Sequence, residues 1–170
     1  MTGIVDIVIE DDRWEAAGLS RLAETSARAV AAHLGYDPAL YQAVVMGCDD
    51  ARIAELNGTF RDKARPTNVL SWPSAERGSE YAGEAPELPE PGTLEAPEPL
   101  GDIAIAFDTC AREAAEQEKS FDAHVTHLLI HGILHLFGYD HIDDDDAELM
   151  EDTERQILAA LGIADPYAGG

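Results

Sequence analysis

A single α+β domain over residues 1–170, with a small mixed sheet of about four strands packed with about five helices, is the fold class this sequence predicts. Three observations predict it. Short apolar or β-branched runs are interleaved with longer alanine- and leucine-rich segments, and the strand-then-helix order occurs twice in the first third of the chain. A length of 170 residues with 45% hydrophobic content suits one core of ordinary size. No internal repeat divides the chain.

Ile4 to Ile9 reads as the first strand, and Glu15 to Leu34 as a helix closed by Gly35. Tyr41 to Met46 is the second strand. Asp49 or Asp50 is placed to cap a helix running through Ile53 and Leu56 towards Phe60. After a basic loop from Arg61 to Arg65, Thr67 to Trp72 has strand character and is stopped by Pro73, which cannot donate to a sheet. Residues 74–99 are rich in Glu, Pro and Gly with little to bury, so this acidic insertion reads as a solvated, partly disordered loop. Asp102 to Phe107 is the last strand, and Asp108 is placed to cap a helix through Arg112, Ala115 and Glu118. Ser120 or Asp122 opens the next helix, which ends near Phe137 at Gly138. A final helix from Asp143 to Ala160 carries Met150, Thr153, Ile157 and Leu161 on one apolar stripe.

Composition excludes several classes. No apolar run reaches the roughly 20 residues that cross a bilayer, and the start lacks the pattern of a signal peptide, which predicts a cytoplasmic protein. Cys48 and Cys110 are the only cysteines and form no CxxC pair, so both read as buried small apolar residues. The net charge of −23 argues against phosphate binding by the surface as a whole. Its distribution matters more, because much of it lies in the insertion and in Asp143 to Asp146, where the positive end of a helix dipole favours acids.

The stretch from His131 to His141 carries the chemistry. On a helix, His131 and His135 lie four apart and project from one face, so both rings can meet one cation. Gly138 lets the chain turn, and His141 can return as a third ligand. Three protein ligands leave a coordination position open, which is the pattern of catalytic rather than structural zinc; one Zn2+ per chain is expected. A bound cation lowers the pKa of water to about 7, so hydrolysis is the natural reaction class. His124 and His127, on preceding turns, read as supporting hydrogen bonds or packing rather than ligands. Tyr139 and Asp140 lie within the turn and could orient a ligand or simply stabilise the bend. The spacing HxxxHxxGxxH matches metzincin proteases, but the position of their general-base glutamate is Gly132 here.

The second unusual segment runs from Leu56 to Pro73. Arg61, Lys63 and Arg65 stand at alternate positions and make a positive patch in an acidic chain, suited to gripping a phosphodiester. Pairing with acids such as Asp62 is the plainer reading for Lys63.

With both segments in hand, the chain closely resembles the YbeY family of bacterial metal-dependent endoribonucleases. The resemblance rests on Leu56-Asn57, Phe60-Arg61, Arg65 to Ser71, Leu100 to Ile103, and the His131 to His141 motif with its following acidic helix. It implies a zincin-like fold, zinc held by His131, His135 and His141, and an essential arginine at Arg61. It also implies single-strand cleavage of 16S ribosomal RNA in 3′-end maturation and ribosome quality control. Ribosomal RNA, small-subunit ribosomal proteins and an assembly GTPase are the implied partners. On that reading His131 and Arg61 are catalytic, while Arg61, Lys63 and Arg65 bind substrate. A metal-stabilised assembly factor without catalysis and a zincin-type metalloprotease are the competing readings, as is attack by the RNA's own 2′-hydroxyl in place of water.

Overall fold

The computed structural model describes residues 5–61, 67–74, 83, 86, 88–139 and 144–166. Among them a four-stranded sheet has the order β1-β2-β4-β3, from strands β1 (Val5–Ile9), β2 (Tyr41–Cys48), β3 (Val69–Pro73) and β4 (Glu98–Ala106). β1 and β4 flank β2 in parallel and β3 runs antiparallel to β4, so the sheet is mixed as expected. Six α-helices accompany it among the described residues: α1 (Arg13–Ala17), α2 (Leu19–Leu34), α3 (Asp50–Arg61), α4 (Phe107–Glu116), α5 (Phe121–Leu136) and α6 (Asp144–Ala160).

Strand alternation separates two cores. Val45, Ile103 and Ile105 face the larger one with residues of α2, α5 and α6, and Trp14 of α1 is fully buried there. The Trp14 indole N–H donates to the carbonyl of Cys48 at 2.9 Å, and its ring packs on Phe107 and Phe121. Ala104, Ala106 and Leu70 face the smaller core, covered by Ile53 and Leu56 of α3. Both cysteines are fully buried; burial pushes the Cys48 thiol up to about 12 and raises Cys110 as well, so neither supplies a thiolate near neutral pH.

Several boundaries differ from the sequence reading. The expected helix from Glu15 to Leu34 is two helices, because Gly18 takes φ +80° and ends α1. The expected cap Asp108 lies inside the first turn of α4, since β4 runs directly into that helix, and Asp108 instead pairs with Arg13 at 2.7 Å. Asp50 supplies the missing acceptor: its Oδ1 takes the backbone N–H of Thr109 at 3.0 Å and the Thr109 hydroxyl at 2.7 Å. Asp49 accepts from the N–H of Arg52 at the start of α3. β4 extends back to Glu98, into the expected loop, and bulges beside Gly101, where φ is +140° and a β-carbon would lie 2.1 Å from the Trp72 carbonyl. The described part of the insertion is also fastened down: the Tyr41 hydroxyl donates to Pro89 O at 2.6 Å, and the Gly92 N–H to Leu40 O at 3.0 Å.

Among the described residues no helix is long and apolar enough to cross a membrane.

Candidate metal centre

α5 begins where Ser120 accepts a hydrogen bond from the N–H of Ala123, the cap anticipated for it, and ends before Gly138, whose φ is +104°. Its sequence is apolar nearly all round, which marks a helix enclosed by its neighbours. From His124 to Leu136 every residue is buried except His127, His131 and His135. Those three lie at successive four-residue steps, so the one open stripe of the helix is a row of imidazoles. Ring centroids are 6.4 Å apart for His127 and His131, and 4.8 Å apart for His131 and His135.

Beneath that row sits an acid that sequence reasoning missed. Glu154 of α6 is fully buried, and its Oε1 lies 2.5 Å from Nδ1 of His131 and 3.7 Å from Nε2 of His127. The His131 side chain keeps 22% of its surface exposed, so one nitrogen faces the acid while the ring retains an open edge. The signal was present: Met150, Glu154, Ile157 and Leu161 recur at helical spacing, placing a charged residue on the apolar stripe where it is costly without a partner.

Gly132 has a packing reason. It is buried over β4, and a β-carbon there would stand 3.2 Å from Cδ1 of Ile103, itself 1% exposed. A side chain at this position would press on Ile103 and require it to give by a few tenths of an ångström, so glycine keeps α5 close on β4.

His124 makes a hydrogen bond of the kind expected of it, and His127 lies 3.7 Å from the Glu154 carboxylate. His124 is 4% exposed, and its Nε2 lies 3.0 Å from Oε1 of Glu113, the same oxygen that accepts from the amide of Asn68 at 3.0 Å. Burial lowers the His124 pKa, with Glu113 opposing. Tyr139 is buried in the large core and burial raises its hydroxyl pKa, so it packs rather than facing an open site.

Arg61 is the last residue of α3, with its side chain outside the described set; Lys63, Arg65, Asp140 and His141 lie outside the described residues altogether. Asn68, just beyond the basic loop, is fastened through its amide to Glu113 and through its carbonyl to the N–H of Ala106. Among the described residues no group of three or more His, Cys, Asp and Glu is arranged as a metal site, and the histidine pair is the part that is seen. The donor types suit a borderline-soft cation: two imidazoles one turn apart, one of them with its Nδ1 against the Glu154 carboxylate. Asp144, Asp145 and Asp146 occupy the first turn of α6, where the helix dipole favours them, and Asp146 accepts the N–H of Gly83 at 2.8 Å.

Comparison with known proteins adds a consistent picture. Residues 6–162 match the family model described as Endoribonuclease YbeY. A protein of Cereibacter sphaeroides named Endoribonuclease YbeY is 62% identical over 98% of this chain and 100% of its own length. One of Paracoccus denitrificans with the same name is 61% identical, covering 96% of this chain and 89% of its own. A Thermotoga maritima protein solved in solution has a similar fold, with a TM-score of 0.53, 24% identity, and coverage of 96% of this chain and 98% of its own.

Proposed function

This chain belongs to the YbeY family of endoribonucleases, and from that premise we propose that it is a zinc-dependent endoribonuclease cleaving single-stranded RNA at the 3′ end of 16S ribosomal RNA. The observation that carries the metal part is the open imidazole row of α5 backed by a buried carboxylate. His131, His135 and His141 would hold the cation, His131 through Nε2. When bound, such an ion supplies an acidified water and charge neutralisation at a phosphoryl oxygen.

The chain's own residues do the rest. Arg61, at the end of α3, donates to the phosphoryl oxygens as negative charge grows on them, an interaction stronger in the transition state than in the ground state. Lys63 and Arg65 hold neighbouring phosphates. Arg13, Arg21, Arg28, Arg52, Arg112 and Arg155 each lie within 4.0 Å of a carboxylate, so phosphate would have to compete for them. That favours the basic loop as the recognition element and predicts weak, salt-sensitive binding of free RNA by a chain of net charge −23. Small-subunit ribosomal proteins and an assembly GTPase would then present the substrate.

The test is cleavage of a precursor 16S RNA by zinc-loaded protein. Wild type is expected to cut near the 3′ end and Arg61→Glu to lose about 100-fold or more of that rate while melting normally. An Arg61→Glu variant with full processing activity would overturn the assignment.

A further inference from the structure

The row of imidazoles has a fixed orientation problem. A histidine bound to a cation through Nε2 must carry its proton on Nδ1, and a free imidazole at an open helix face has no reason to choose that tautomer or to hold its ring still. We propose that Glu154 is the positioning residue of the metal centre: its carboxylate accepts the Nδ1–H of His131, fixing the ring and presenting Nε2. The proposal rests on the metal reading above and names a residue outside the three-histidine motif.

Five observations support it. The contact is close, at 2.5 Å, and places the carboxylate oxygen directly against Nδ1 of His131. Glu154 is fully buried whereas His131 is not, so the acid faces inward and the ring spans the boundary between core and cleft. α6 brings the acid there on a rigid stripe, with Met150 and Ile157 each 1% exposed on either side of it. The neighbouring Thr153 hydroxyl is turned to its own helix, donating to Leu149 O at 2.8 Å. Nε2 of His127 lies 3.7 Å from the same oxygen, which places a second imidazole beside the carboxylate.

A merely structural role, in which Glu154 only joins α5 to α6, makes different predictions. It loses stability on substitution but leaves metal affinity and ring tautomer alone. The experiment uses the full chain with Glu154→Gln, which keeps the shape and an acceptor oxygen but removes the charge, and with Glu113→Gln as the matched control on the other carboxylate and histidine pair of α5. Zinc affinity is read by chelator competition, and the His131 tautomer by long-range proton–nitrogen correlation in metal-free protein.

The expected result has two parts. Metal-free wild type shows His131 protonated on Nδ1. Zinc affinity falls about 10- to 100-fold in Glu154→Gln and is unchanged in Glu113→Gln. Wild-type affinity in Glu154→Gln, or an Nε2-protonated His131 in the wild type, overturns the proposal while leaving the metal reading intact. Failure of the wild type to bind zinc at all sinks the metal reading and this role with it.

Discussion

Two histidines of α5 each meet a carboxylate from a neighbouring helix, and the two pairs are built in opposite senses. In the His124–Glu113 pair the imidazole is 4% exposed in its side chain and the acid 27%. In the His131–Glu154 pair the imidazole is 22% exposed and the acid 0%. Where the ring is buried, it serves as a strut between α4 and α5, and the acid remains partly hydrated. Where the acid is buried, its hydration has been given up and must be replaced by its partners, and the ring it holds is left facing outward. The same two residue types, with their histidines about two turns apart on one helix, thus differ in which partner is buried, and that difference separates a strut from an open imidazole.

The comparison breaks first on activity. His131→Ala is expected to reduce RNA cleavage by about 100-fold or more through loss of a metal ligand. His124→Gln should leave cleavage close to wild type in the same precursor assay. Equal losses in two variants that both fold would erase the distinction between the pairs.

Stability sharpens it next. Glu113→Ala removes an acceptor shared by His124 and Asn68 and should destabilise the protein by about 1 to 3 kcal/mol in urea unfolding, without altering zinc affinity. A change in zinc affinity there would show that the strut also tunes the site.

The smallest effect is in pH dependence. Burial holds the folded His124 pKa below its unfolded value, so the unfolded chain binds more protons over the interval between the two. The stability associated with neutral His124 is therefore complete above the ordinary histidine value of about 6.5 and is lost as pH falls from there through the lower folded value. In metal-free protein, His124→Gln should flatten the fall in unfolding midpoint below that pH. An unchanged slope would place the acid sensitivity elsewhere.

How much of this was legible in the sequence depends on whether a contact is local. The His131 and His135 pair was readable because four-residue spacing on a helix decides which side chains share a face. Ser120 was readable as a cap for the same reason. Asp108 was misread and Asp50 only half read, because the first turn of α4 is capped from another helix and no local pattern encodes that. Glu154 lay in plain view at a core position of an amphipathic helix, and its meaning required the helix it packs against. The insertion was judged from composition, which speaks to burial and not to the backbone hydrogen bonds that tie residues such as Gly92 to Leu40.

Metal analysis is the most direct test of the central claim that the open imidazoles of α5 bind a catalytic cation. After identical zinc loading and desalting, the wild-type chain should retain about one ion and His131→Ala should retain almost none, with both proteins melting cooperatively. A wild type that retains no ion, or a His131→Ala variant that holds it as firmly, contradicts the account.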